Sequence, residues 1–270
     1  MTAKSVHRSR FHWVLPTYLG AILLYLFLPV LVVIGFSFND VSRGFNVVWQ
    51  GFTLDHWLDP FKVPAIAESL TISLVIALIS AAVATVLGTL IALALVRYRF
   101  RGRSTTNVFL FLPMATPEVV LGSSLLALFI TLRVATGFWT IVIAHILFNI
   151  SYAVVTVRAR VSGFDRHLEE AAMDLYSDEW STFRRVTLPM IMPGVLAAFM
   201  LGFALSFDDF IITNFNSGSV QTWPMYVWGA SRRGIPAQVN VFATAIFVIT
   251  TLAMFVNLRV QGRRARSRST

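Results

Sequence analysis

Six apolar stretches, each long enough to cross a bilayer as a helix, leave this chain few folds to choose from. They run over residues 15–38, 67–96, 108–132, 138–157, 190–214 and 239–258. A helix rising about 1.5 Å per residue needs roughly 20 residues to cross about 30 Å of hydrocarbon. No water is there to bond the backbone, so each segment must satisfy its own amides and carbonyls as a helix. The expectation is an all-α integral membrane protein with six transmembrane helices. Composition agrees, since only 13% of the residues are charged, against about a quarter in soluble domains. The chain holds no cysteine, which excludes a disulfide framework, a thiolate metal site and a cysteine nucleophile. The first stretch is too long for a secretory leader, and no small-residue cleavage site follows it.

The net charge of +9 raises the question of nucleic acid, and the placement of the cations answers it. With the N-terminus in the cytoplasm, 17 of the 22 Lys and Arg fall in cytoplasmic pieces. The positive-inside rule then puts both termini there. The cations are spread through short juxtamembrane loops, which accounts for the basic balance with a lipid bilayer and no nucleic acid as partner. Three parts follow: a basic tail at 1–14, a six-helix transmembrane domain at 15–258 and a second basic tail at 259–270. Two connections are long. The external one, 39–66, carries Trp49, Trp57, Pro60 and Pro64, with aromatics suited to an interfacial or docking surface. The cytoplasmic one, 158–189, reads RARVSGFDRHLEEAAMDLYSDEWSTFRRVTLP.

Two short helices are legible in that cytoplasmic loop. Asp165 is placed to cap a helix carrying Glu169 and Glu170 in its early turns, and Ser177 to cap a second with Asp178 and Glu179 in its first turn. The first helix suits insertion into a groove of a partner. Here the sequence resembles the membrane permeases of bacterial binding-protein-dependent ABC importers. Their signature is Glu-Ala-Ala, three residues, Gly, nine residues, then Ile, any residue and Leu-Pro. Glu170, Ala171 and Ala172 stand at its start and Val186, Thr187, Leu188 and Pro189 at its end. Val186 replaces the usual Ile, and Tyr176 stands where Gly is usual, which implies a turn that does not need positive φ. The resemblance implies the type I importer fold and makes this loop the coupling helix seated in an ATP-binding subunit. Glu169, Glu170, Ala171, Ala172, Asp174, Tyr176, Leu188 and Pro189 are its expected coupling residues.

Within the spans, apart from Glu68 at the very start of the second, Glu118, Asp208 and Asp209 are the acidic residues that need a reason, because an Asp in hydrocarbon costs at least about 2.5–3.5 kcal/mol. Asp208 lies 18 residues beyond Met190, or roughly 27 Å along a helix at 1.5 Å per residue, near the outer mouth. Glu118 follows Pro113 and Pro117, whose missing amides open a kink nearer the middle of the bilayer. Phe207, Phe210, Trp223, Tyr226 and Trp228 lie close by in sequence. Carboxylates at two depths with aromatic faces suit an organic cation. The segments LSFDDFIITNFNSG and LPMATPEVVLG resemble the second permease of spermidine/putrescine importers, over essentially the whole chain. That resemblance matches Glu118, Asp208 and Asp209 to the family's acidic residues, and with the aromatic residues Phe207, Phe210, Trp223 and Tyr226 they are the expected substrate-pathway residues. The competing role for Asp208 and Asp209 is pairing with Arg232 or Arg233, and for Glu118 a hydrogen bond to backbone freed by the prolines. His145 has no second His, Asp or Glu at metal-site spacing, so it reads as a packing or interhelical contact, with no metal bound.

The chain has no GxxxxGK[ST] loop, GxSxG elbow, HExxH pair or dinucleotide fingerprint. It is therefore expected to be non-catalytic and to bind no cofactor, with ATP and Mg held by a separate ATPase subunit. The resemblance implies a paired permease, identical or homologous, with a homologous heterodimer expected, two ATP-binding subunits and an extracytoplasmic binding protein, all at the bacterial cytoplasmic membrane. Permeases for thiamine, ferric iron, molybdate or phosphonate carry the same loop and compete for the assignment. An anion path would be lined by unpaired Arg or helix N-termini. A secondary transporter or intramembrane enzyme would need more spans or an intramembrane nucleophile or metal cluster, and the sequence shows neither.

Overall fold

The computed structural model of the chain describes residues 13–41 and 46–266. Residues 1–12 and 267–270 of the expected basic tails, and Arg43, lie outside these. The helices in chain order are α1 (Val14–Phe36), α2 (Asp55–Leu58), α3 (Pro64–Arg97), α4 (Arg103–Ala115), α5 (Glu118–Thr131) and α6 (Phe138–Ser162). They continue with α7 (His167–Asp174), α8 (Glu179–Thr182), a π segment (Phe183–Thr187), α9 (Leu188–Asp208), α10 (Ile211–Asn216), α11 (Trp223–Arg233) and α12 (Ala237–Arg266). The only extended pairing among the described residues is a single antiparallel bridge between Asn39 and Phe52.

Four helical stretches are long and apolar enough to cross a membrane: α1, α3, α6 and the continuous run Glu179–Asp208. The third expected span is not one straight helix. It is α4 and α5, bent by 107° at Thr116–Pro117, and counts as a fifth span if the pair crosses as one. Pro117 cannot donate a helical amide and biases Thr116 to extended backbone; Thr116 adopts φ −81°, ψ 131°. The fifth expected span also breaks, with α9 ending at Asp208 and Asp209 extended. The sixth is a shorter apolar stretch, Ala237–Leu252, within α12. That helix continues to Arg266, so the second basic tail starts inside it.

The contacts divide the chain into two compact units. One comprises Ala65–Trp228; the other joins the residues up to Pro64 with those from Gly229 onward. In the larger unit, α3 turns a face of small residues inward: Ser73, Ala77, Ala81, Ala84, Gly88 and Ala92 are all buried. Their three- and four-residue spacing keeps them on one stripe. In lipid, helices associate through close packing and polar contacts, because apolar burial offers no gain over acyl chains. Gly88 shows the closeness required, since a Cβ added there would stand 2.5 Å from the Cβ of Ala153 on α6. At Gly194 of α9 a Cβ would stand 2.7 Å from the Cβ of Arg160. Leu95, Val154, Val157, Ile191 and Ala198 complete the packing where α3, α6 and α9 meet.

The smaller unit is organised around a buried asparagine. Asn39 donates to the Asn46 side chain at 2.7 Å and to the Val48 carbonyl at 2.8 Å, and accepts from the Gln50 amide at 2.7 Å. Phe38 stacks on both Phe52 and Trp57, at 5.6 and 5.5 Å between ring centroids. The long 39–66 connection is thus an ordered cap on α1 wherever it is described. Phe27 of α1 meets Phe247 of α12 edge-on at 6.4 Å.

Candidate functional site

The 158–189 loop folds as the two short helices expected, with different caps. Asp165 accepts from the His167 amide at 3.0 Å, but the residue flanking α7 is Arg166, which makes no side-chain cap. Asp178 caps α8 in place of Ser177, accepting from the amides of Trp180 and Ser181, both at 3.2 Å. The Ser181 side chain and amide hold the Asp178 carboxyl below its ordinary value. The cap's contribution is therefore present above the ordinary carboxylate range and is lost as pH falls through that lowered value.

The turn after α7 overturns the expectation for Tyr176. Its φ is +65°, in the left-handed region. The Ser177 amide bonds the Ala172 carbonyl at 3.2 Å and the Tyr176 amide the Met173 carbonyl at 2.9 Å. These two bonds make a Schellman motif, with Tyr176 at the position where Gly ordinarily ends a helix. The signature's usual Gly thus reports a backbone requirement that Tyr176 meets at a cost of roughly 1–2 kcal/mol. Tyr176→Gly is expected to slow hydrogen exchange at the Ser177 amide or leave it unchanged. Tyr176→Val, branched at Cβ, should speed that exchange by about tenfold for each 1.4 kcal/mol lost.

The two adjacent glutamates, grouped together by sequence, sit in opposite surroundings. Glu169 is buried and pairs with the Arg97 guanidinium at the end of α3, while also accepting from the Thr187 hydroxyl. Arg97 donates to Thr187 as well, at 3.3 Å. Glu170 is exposed and lies 3.1 Å from His167, itself exposed. Ala171 and Ala172 line one open groove with Val186 and Pro189, so the two ends of the signature, far apart in sequence, form one surface. Leu188 packs inward against the α3–α6–α9 core, and Asp174 and Tyr176 are exposed. The π segment lies just before Pro189, which has no amide to return to the Arg185 carbonyl.

The second cluster forms at the break after α9. Asp209, with a side chain 6% exposed, accepts from the Thr213 amide at 2.7 Å and the Thr213 hydroxyl at 2.8 Å, holding the start of α10. His145 of α6, 2% exposed, places Nε2 at 3.2 Å from the same carboxylate oxygen and 3.0 Å from the Thr213 hydroxyl. Its Nδ1 is 2.5 Å from the Ser206 hydroxyl, which meets the Ser80 hydroxyl of α3 at 2.8 Å. Sequence reasoning had His145 as an interhelical contact and missed its partner, because the pairing crosses 64 residues of chain. Asp208 is exposed and has no hydrogen-bond or ion-pair partner among the described residues; the same is true of Glu118 at the start of α5. Phe207 ends a ladder of half-buried rings on α9, stacked on Phe203 at 6.2 Å, with Phe203 on Phe199 at 6.4 Å. Phe210 meets Trp228 at 5.4 Å and Trp223 meets Tyr226 at 6.1 Å. No group of three or more His, Cys, Asp or Glu that could hold a metal occurs among the described residues.

Long apolar helices packed through small residues, with a two-helix polar loop carrying the Glu-Ala-Ala surface, define a membrane permease. The chain belongs to the family described as the binding-protein-dependent transport system inner membrane component, whose profile matches residues 84–266. It is 36% identical over 241 residues to the spermidine/putrescine transport system permease protein PotC of Escherichia coli (strain K12), covering 89% of this chain and 90% of that protein. It is 35% identical over 255 residues to the putrescine transport system permease protein PotI of the same strain, covering 90% of each. Among solved structures, a chain of a bacterial ABC transporter that imports the acidic polysaccharide alginate superposes with a TM-score of 0.69 at 14% identity, covering 97% of this chain and 99% of that one. A chain of an amino acid ABC transporter superposes with a TM-score of 0.56 at 16% identity, covering 80% and 100%. These two likenesses establish the fold alone.

Proposed function

We propose that this chain is the permease of an ATP-driven importer for a small organic polycation, spermidine or putrescine, and forms half of the translocation pathway. The observation that carries the reading is the pair of exposed carboxylates, Asp208 and Glu118, without a partner among the described residues, inside segments that are otherwise apolar. Leaving carboxylates without a protein partner in a membrane is costly unless a cation or water meets them. The aromatic ladder ending at Phe207 supplies faces for ammonium groups and methylene chains. The names of the similar E. coli permeases support the same substrate class.

In this reading the chain crosses the membrane six times with both termini cytoplasmic, pairing with a homologous permease. The exposed surface of Glu170, Ala171 and Ala172 seats in one of two ATP-binding subunits, which hold ATP and Mg. A binding protein delivers substrate at the Asp208 end. Closure of the ATPase pair moves α7, and the anchor through Glu169 passes that motion to α3 and the π segment. This chain performs no hydrolysis and needs no cofactor. The test is uptake of labelled putrescine and spermidine in cells lacking the chain. Wild type should restore uptake and a Glu118→Gln, Asp208→Asn double variant should not, though it inserts normally. Restored uptake of thiamine or molybdate in place of polyamine would refute the substrate class.

A further inference from the structure

The two adjacent aspartates have been treated as one acidic pair, but their surroundings give them different work. Asp209 has Oδ2 engaged by Thr213 and His145, Oδ1 by the Ile212 amide at 3.4 Å, and its side chain 6% exposed. Asp208, one residue earlier, is exposed and unpartnered among the described residues. Between them lies the end of α9, and Asp209 is extended at φ −68°, ψ 122°. The direction of the Asp208 side chain therefore depends on where Asp209 is held.

What holds Asp209 comes from outside its own segment. Thr213 is four residues away and ties Asp209 only to α10. His145 ties it to α6. An ionised carboxylate only accepts, so Nε2 of His145 carries the proton toward Asp209 and Thr213. Its Nδ1 meets the Ser206 hydroxyl, which in turn meets the Ser80 hydroxyl of α3, itself anchored by donating to the Ile76 carbonyl at 2.7 Å. With Ser80 and Thr213 fully buried and Ser206 and His145 nearly so, the chain of bonds runs from α3 through α9 and α6 to the break. Buried networks of this kind are rigid when every member is satisfied.

We infer that His145 is a positioning residue: it clamps Asp209 at the α9–α10 break and thereby aims Asp208, the carboxylate that meets the substrate ammonium group. This rests on the polycation-permease reading above. Asp209 itself stays out of the path, because its side chain is 6% exposed and is held by four groups, the Thr213 amide and hydroxyl and His145 at Oδ2 and the Ile212 amide at Oδ1.

The test is uptake kinetics of labelled spermidine by the assembled transporter. Asp208→Asn should raise KM by about tenfold, the scale of one lost hydrogen bond to a charged group. His145→Leu should raise KM several-fold with Vmax retained, and His145→Gln, whose amide can still donate, should restore most of it. In an Asp208→Asn background His145→Leu should raise KM no further, because it acts through the carboxylate already removed. Multiplying effects, or a His145→Leu change confined to Vmax, would overturn the inference. A second readout is independent of the substrate. The chain has no cysteine, so Asp208→Cys offers a single thiol to a membrane-impermeant cationic methanethiosulfonate. That thiol should react quickly, and adding His145→Leu should slow it. An unchanged rate would overturn the positioning role even if the wild type imports no polyamine, an outcome that refutes only the function proposed above.

Discussion

Glu169→Ala is expected to abolish uptake and to expose the 158–189 loop to protease, whereas Glu170→Arg should abolish uptake and leave the loop intact. The side chains of Glu169 and Arg97 are only 11% and 22% exposed. Removing one partner of a buried ion pair costs about 3–5 kcal/mol, because the other charge is left unpaired. The residual exposure of Arg97 places this case near the lower bound. Thr187 also loses an acceptor, so the truncation releases α7 from both α3 and the π segment. Glu170 differs in every respect. Its contact with His167 joins side chains that are 59% and 85% exposed, and exposed pairs contribute less than about 1 kcal/mol. Reversing its charge leaves the fold unharmed and sets a cation against whatever surface receives α7. Limited trypsin digestion after Arg184 and Arg185, run beside uptake, separates the two. Equal protection of the loop in both variants would contradict the division of labour.

Gly88→Leu is expected to eliminate monodisperse protein from detergent extracts, while Gly20→Leu should have no effect. A Cβ at position 88 meets the Ala153 Cβ at 2.5 Å and the Val154 amide nitrogen at 3.1 Å, so relief requires moving the α6 backbone. Overpacking ordinarily costs about 1–3 kcal/mol and more where backbone must move. At Gly20 of α1 an added Cβ meets nothing within 4 Å. Size-exclusion profiles of the two variants provide the check. Pairing Gly88→Ala with Ala153→Gly should restore the wild-type profile, since it returns the missing volume.

The hydrophobic lengths made the helices legible in the sequence, but not their breaks. Pro113 and Pro117 announced a kink in the third span, yet its 107° magnitude depends on Thr116 turning fully extended. Nothing in LSFDDF marks a helix end; α9 stops at Asp208 because Asp209 is drawn to His145 and Thr213. The loop signature was legible as spacing, and its meaning was not. Tyr176 in place of Gly suggested an ordinary turn, whereas the paired bonds to Ala172 and Met173 hold it at positive φ. Arg133 does the same after α5, with Val134 bonding the Phe129 carbonyl and Arg133 that of Ile130. Glu169 and Glu170 looked equivalent because the partner that distinguishes them, Arg97, is 72 residues away. Long-range polar pairs leave no local periodicity to read.

The fold by itself is silent on charge. A chain of an importer for an acidic polysaccharide superposes over 97% of this chain, so the fold alone does not choose the sign of the substrate's charge. Selectivity has to come from the few side chains that line the path, which in the function proposed above are Asp208, Glu118 and the aromatic rings between Phe199 and Phe207. The measurement that most directly tests this account is ATP-driven accumulation of labelled spermidine in proteoliposomes holding the purified transporter. Accumulation that requires ATP and the binding protein, and that falls sharply in Asp208→Asn, is the predicted result. ATP-dependent uptake of an anion with no accumulation of spermidine would contradict it.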